Sequence, residues 1–118
     1  MASTHTQRTL LTSQALAAGA SVNATEWDLT TAYGGVAVVR LTNGGTAPTT
    51  APTVSFYIGS ATGVKRLLWS GSGNTTNSSV TDIPCVIPLG VMFANITITW
   101  GATTGGTVEA YGQETTTI

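Results

Sequence analysis

Along residues 90–101 apolar and polar side chains alternate. Met92, Ala94, Ile96, Ile98 and Trp100 fall on one parity, and Asn95, Thr97 and Thr99 fall on the other. Successive side chains of a strand point to opposite faces, so this spacing predicts a half-buried β-strand with its apolar row turned to a core. Phe93 interrupts the polar row only where the strand begins. The same alternation predicts a strand over residues 53–59, with Val54, Phe56 and Ile58 inward and Ser55 and Tyr57 outward. Another runs over 107–113, with Val108 and Ala110 inward and Glu109 and Tyr111 outward. A short strand over 27–31 puts Trp27 and Leu29 on one face and Asp28 and Thr30 on the other. Residues 36–42 are apolar almost without a break except at Arg40, the pattern of a central strand covered on both faces. Residues 64–70 carry charge and apolar side chains in both rows, as an edge strand does. Residues 9–16 read as an edge strand in preference to a helix running through Ala15 to Ala18 and ending at Gly19. A short strand over 80–83 leads into a stiff turn between Pro84 and Pro88.

Between these segments lie turn residues. Asn43 to Pro52 combines Asn-Gly with two prolines and is long for a hairpin, so it is expected to cross from one sheet to another. Residues 60–63 form a turn, and the Gly-rich segment 102–106 is expected to close a hairpin between the strands on either side of it. Seven or eight short strands joined in this way predict an all-β fold, a single antiparallel β-sandwich. Jelly-roll order is preferred to an immunoglobulin-like one. Residues 1–8 are polar and aperiodic and read as a flexible N-terminal arm; residues 9–118 form the sandwich, with 114–118 as a short tail.

Composition reinforces this reading. Threonine is abundant and β-branched, Gly and Pro punctuate the turns, and hydrophobic residues make up 42% of the 118 residues, which is enough for a chain of this length to bury one core. Four basic and five acidic residues leave a net charge of -1, with no basic excess to neutralise phosphates, so nucleic acid is not expected as a partner. No stretch approaches the ~18 apolar residues of a membrane span, and the start lacks a signal-peptide core. The chain is therefore expected to be made in a cytoplasm and to need no membrane. The Asn-x-Ser/Thr triplets at Asn23, Asn74, Asn77 and Asn95 are what a Thr-rich chain produces by chance.

Candidate chemistry is sparse. His5 has no second histidine or cysteine near it, and metal chemistry needs several ligands together. Cys85 has no base beside it and reads as a small buried hydrophobe. Glu26, Asp28, Asp82, Glu109 and Glu114 read as solvated surface acids, and the Gly-rich runs lack the Lys-Ser/Thr of a phosphate loop. No catalytic, cofactor-binding or metal-binding residue is assigned, and no enzyme activity is expected. Partner contacts are expected instead from His5 and Arg8 in the arm and from Tyr57, Trp69 and Tyr111 on outward or mixed rows. A coplanar exposed aromatic row would favour stacking on a sugar. Aromatics set into a protein interface would favour assembly.

The run Gly34-Gly-Val-Ala-Val-Val-Arg-Leu-Thr-Asn-Gly-Gly-Thr-Ala-Pro, the strand Thr53-Val-Ser-Phe-Tyr-Ile-Gly and the ending Val108-Glu-Ala-Tyr-Gly-Gln-Glu resemble the small capsid decoration (cement) proteins of tailed bacteriophages. The resemblance covers most of residues 27–114 and is one of composition and strand style. It implies a jelly-roll-like virion structural protein, made in the host cytoplasm and placed on the capsid surface. It also implies that the major capsid protein is the partner and that the chain forms a homo-oligomer, a trimer in preference to a dimer. The alternative is a carbohydrate-binding or host-recognition module of a phage tail or fibre.

Overall fold

β-branched and aromatic residues at every second position, separated by Gly, Pro and Asn, give strands and turns throughout residues 4–117, which a computed structural model of the chain describes. The strands are β1 (Thr4–Leu16), β2 (Ser21–Asn23), β3 (Trp27–Asp28), β4 (Gly35–Asn43), β5 (Thr53–Ala61), β6 (Val64–Ser72), β7 (Val80–Ile87), β8 (Phe93–Thr99) and β9 (Gly106–Thr117). One sheet has the order β1-β9-β4-β7 and the other β2-β8-β5-β6, with β3 also on β8. Every pairing is antiparallel. β2 and β3 lie along the same edge of β8, at Thr97–Thr99 and Phe93–Ala94, so they act as one strand interrupted by residues 24–26. Counted so, successive strands alternate between the sheets except at the β5–β6 hairpin, and the first strand lies beside the last. This is jelly-roll topology, the order of two nested Greek keys.

The core is the space between the two inner faces. β4 contributes Ala37, Val39 and Leu41, β5 contributes Val54 and Phe56, β8 contributes Ala94, Ile96 and Ile98, and β9 contributes Val108 and Ala110, all buried. Two tryptophans from the β3/β8 side reach across onto glycines of the opposite sheet. A Cβ added at Gly112 would lie 2.6 Å from Trp27 Cη2, and one at Gly106 would lie 2.1 Å from Trp100 Cζ2. The glycines leave room that no other residue would. At one end, the buried Asn43 side chain donates to the backbone of Asn74 and Thr76 and to the Asn74 side chain, tying the two inter-sheet loops together.

Several expectations are corrected. Residues 4–8 are not an arm: they continue β1 in register with Gly112–Thr117 of β9, because the strand partner extends well past residue 113. The first residues of the expected arm, 1–3, and residue 118 lie outside the described residues. The segment from Pro84 to Pro88 does not turn at once; β7 runs through Pro84 to Ile87, and it can do so because an edge strand has a neighbour on one side only. The segment 102–105 is a crossing between sheets, since β8 and β9 belong to different ones. Met92 precedes β8 and is exposed, leaving Ala94, Ile96, Ile98 and Trp100 as the buried row. The helical competitor at Ala15–Ala18 does not form; β1 ends at Leu16. The Asn43–Pro52 loop does cross between sheets, and β6 is an edge, as the sequence predicts.

Candidate functional site

Chain register fixes what each sheet turns outward. On the β1-β9-β4-β7 sheet, pairing places four rows side by side across β9, β4 and β7. They are Gln113-Val36-Val86, Tyr111-Val38-Pro84, Glu109-Arg40-Asp82 and Thr107-Thr42-Val80. The first two rows are largely apolar. Val86 is 71% exposed and Val36 and Tyr111 are exposed beside it, and Tyr33 and Leu89, in the loops before β4 and after β7, are exposed as well. The residues of β4 that predict coverage on both faces are thus covered on one only: Ala37, Val39 and Leu41 are buried inside, and Val36 and Val38 are turned out.

The third row carries the charge. Arg40 donates from Nε to Asp82 Oδ1 at 2.8 Å and from Nη2 to Asp82 Oδ2 at 3.0 Å, a two-point pair. This hydrogen bonding holds Asp82 below the ordinary carboxylate value and, with the neighbouring charges of Asp82 and Glu109, raises Arg40. Glu109 faces Arg40 from the other side in register, and among the described residues no hydrogen bond or ion pair engages its carboxylate.

A second exposed apolar group lies on the other sheet and its edge. β6 leaves Val64, Leu67 and Trp69 partly uncovered, and Met92 is exposed near the β5–β6 hairpin end. Ile58, Gly59, Arg66, Val91 and Met92 line a groove of about 490 Å³ there.

The predicted contact residues do not gather in one place. His5 is an exposed residue of β1 with its ring 3.4 Å from the Thr115 hydroxyl. Arg8 is held by its own chain, where its Nε donates to the buried carboxylate of Glu114. That pair lines a cavity of about 320 Å³ with Leu10, Glu26 and Trp27. Glu114 is therefore not a surface acid of a tail. It stands on the inner face of β9, beside β1, whose Arg8 reaches it. Tyr57 lies on the outer face of the second sheet under Lys65, whose Nζ is 4.7 Å from the ring centroid. Trp69 turns the other way and stacks on the core residue Phe56, centroids 5.7 Å apart. Tyr111 is on the opposite sheet. The three aromatics form no coplanar row.

Cys85 is buried, and burial pushes its thiol up. Asp28 accepts from the Thr30 hydroxyl and backbone N–H, which lowers its carboxyl. Among the described residues no three His, Cys, Asp or Glu side chains converge as metal ligands would. The sequence signal that could have found the exposed face was the uninterrupted apolar run 36–39. Its meaning depended on which faces the same chain would cover.

No protein-family model and no curated protein matches the chain. Solved structures do resemble it. A chain of infectious bursal disease virus, Gx strain, superposes with a TM-score of 0.58 at 13% identity over 96% of this chain. The Gt strain gives 0.54 at 12% identity over 94%. This chain spans 32% and 31% of those two chains, about a third of each. A subunit of Bacillus endospore appendages, described as disulfide-linked pili, gives 0.52 at 13% identity, covering 100% of this chain and 93% of that one. At these identities the likeness is one of fold: an all-β sandwich of the kind found in viral capsids.

Proposed function

We propose that the chain is a virion structural protein, a capsid decoration protein that binds the outside of an assembled capsid and strengthens it through protein–protein contacts. The observation that carries this reading is the pair of uncovered apolar surfaces, one on the outer face of β9, β4 and β7 and one around β6 and Met92 on the other sheet. A domain with apolar surface on one broad face and along the edge strand of its other sheet can join two protein neighbours, one at each. Burial of such surface yields roughly 25 cal/mol per Å² of apolar area, and a lattice repeats that gain at every copy. The remaining surface is mostly Thr, Ser and Gly with little charge, so crowded copies repel one another weakly. The jelly-roll likeness to chains from a virus and from a pilus supports a role in assembly without naming a partner. A sugar-binding role would rest on an aromatic platform, and Tyr57, Trp69 and Tyr111 lie on different faces.

The major capsid protein is the partner this reading requires. Purified protein mixed with assembled capsids should pellet with them in saturable amounts and raise the temperature at which they disrupt. Capsids that neither retain the protein nor gain stability would refute the decoration reading.

A further inference from the structure

We infer that the outer face of the β1-β9-β4-β7 sheet is a self-association surface, and that two copies pair on it face to face about a two-fold axis. This deepens the decoration reading by naming the occupant of one of its two apolar surfaces, and it is tested separately from capsid binding.

Shape comes first. The face is an open four-stranded sheet, and its strands run to eight residues or more in β7, β4 and β9. With strands ~4.8 Å apart and ~3.3 Å per residue, it presents roughly 500 Å² in projection. Two copies laid together remove on the order of 1,000 Å², about the least area that marks a biological interface, so the dimer is expected to be a weak one. Twisted sheets stack well on one another with a crossing of about 30°. A broad face meeting its own copy is satisfied by a two-fold axis, whereas a three-fold ring needs two different surfaces on each copy.

Charge then fixes the axis. β9 and β4 are the middle strands of the sheet, and their outward rows are in register. An axis in the interface, parallel to the strands and between β4 and β9, leaves each row over itself and exchanges the two strands. Arg40 then lies over the partner's Glu109, and Glu109 over the partner's Arg40. In the adjoining row Tyr111 lies over the partner's Val38. These two rows are central, where a crossing of the sheets displaces them least. Sheets ~10 Å apart leave a gap that an arginine and a glutamate can span together. The arrangement gives Glu109 a second cation beside its own chain's Arg40, keeps Arg40 on Asp82, and sets Tyr111 and Val38 of one copy against Val38 and Tyr111 of the other. An axis between β4 and β7 would put Arg40 over the partner's Asp82, with which it is already paired in its own chain, and leave Glu109 outside the overlap, whereas an axis across the strands between these two rows would set Arg40 over Val38 and Asp82 over Pro84, burying charge without a partner.

The test uses the full chain and two complementary variants, with mass measured by light scattering after size exclusion and by sedimentation equilibrium. Wild type should be a dimer. Glu109→Lys alone puts cation over cation, and Arg40→Glu alone puts anion over anion, so each should raise the dimer Kd by roughly tenfold or more. An equimolar mixture of the two should dimerise again, because each contact across a mixed pair is once more between opposite charges. Val86→Glu should also dissociate the dimer, and Thr97→Glu on the opposite sheet should not. Circular dichroism checks that each variant is folded; all the substituted side chains lie on outer faces. A wild type that stays monomeric from micromolar to millimolar concentration, a trimer, or a mixture that fails to dimerise overturns the inference. Capsid pelleting separates it from the decoration reading. A monomer that still binds capsids refutes only the two-fold pairing, and a dimer without affinity for capsids refutes only decoration.

Discussion

Gly112→Ala adds one methyl group where the sandwich has no room for it. The new Cβ would lie 2.6, 2.7 and 2.9 Å from Cη2, Cζ2 and Cζ3 of Trp27, distances that real Cβ atoms essentially never show. Trp27 is 3% exposed and cannot swing aside into solvent. Either the indole shifts or the sheets part, and overpacking of this kind costs about 1–3 kcal/mol. Alanine also restricts the unfolded chain, which returns about 0.4–1 kcal/mol. The net loss should be about 1–2 kcal/mol, a fall in Tm of roughly 4–8 °C for a domain of this size. Gly44→Ala is the control: a Cβ there meets nothing within 4 Å, so it should be neutral or slightly stabilising. Urea unfolding followed by tryptophan fluorescence measures both. In a Trp27→Phe background the outer ring is gone, and Gly112→Ala should lose most of its penalty, a coupling of about 0.5–3 kcal/mol in a double-mutant cycle. Trp27→Phe also removes a buried Nε1–H that has no acceptor among the described residues, which offsets part of its lost packing. Equal stability for Gly112→Ala and Gly44→Ala, or additive effects in the cycle, would refute the packing of Trp27 on β9.

Three further predictions test other parts of the structure. Ile96→Asp puts an unpaired charge in the centre of the core and should cost several kcal/mol out of a total of roughly 5–15, while Thr97→Asp on the outer face should cost about 1 kcal/mol, mainly its hydroxyl bond to Asn23; chemical denaturation ranks them, and equal losses would invert the face assignment. Arg8→Ala strands the buried Glu114 carboxylate and should cost about 1–3 kcal/mol at neutral pH, more than Glu114→Gln, which leaves Arg8 in solvent; the reverse order in the same assay would show that β1 is not held by this pair. Asp82 is depressed below the ordinary aspartate value of 3.8, so the unfolded chain binds the proton first and the Arg40 pair contributes fully above that pH and fades as pH falls through the lower folded value. Asp82→Asn should therefore flatten the acid limb of stability against pH, with little effect because the pair is exposed, and a steeper limb would contradict the assignment.

Strand identity was legible because alternation has only one structural meaning when one face is wet, whereas strand order was not, since the segment 102–105 that looked like a hairpin crosses between sheets. Phe56, Ile96, Val108 and their neighbours could be assigned inward from parity alone, and the length of the Asn43–Pro52 loop announced a sheet crossing. Three further things were not legible. Glu114 looked like a tail acid because nothing local shows that β1 will pair alongside it; its partner Arg8 is distant in sequence and carries no motif. Residues 4–8 looked like an arm because an edge strand of Thr, His and Gln buries no apolar row and leaves no periodicity to detect. The glycines at 106 and 112 gave no hint that they are shaped to two tryptophans, since a contact across the sandwich is invisible to any window along the chain.

β4 shows where such limits become informative about function. A run such as Val36-Ala37-Val38-Val39 costs solubility unless both of its faces are covered, and in this fold the chain itself covers only one. In the same sheet β7 sets Pro84 and Val86 outward beside Val36 and Val38, so the uncovered surface is continued by a neighbouring strand rather than left as one stray side chain. A strand with no function on its outer face would carry Thr, Lys or Glu there, as the polar rows of β8 and β1 carry Asn, Thr and Gln. The difference between what the sequence of β4 is built to bury and what the monomer buries is surface left for another molecule. The one charged row within it, Glu109-Arg40-Asp82, limits which molecules can lie there. A purely apolar partner would bury the Arg40–Asp82 pair and leave the Glu109 carboxylate without a hydrogen bond, whereas a surface offering an acid over Arg40 and a base over Glu109 answers the whole row.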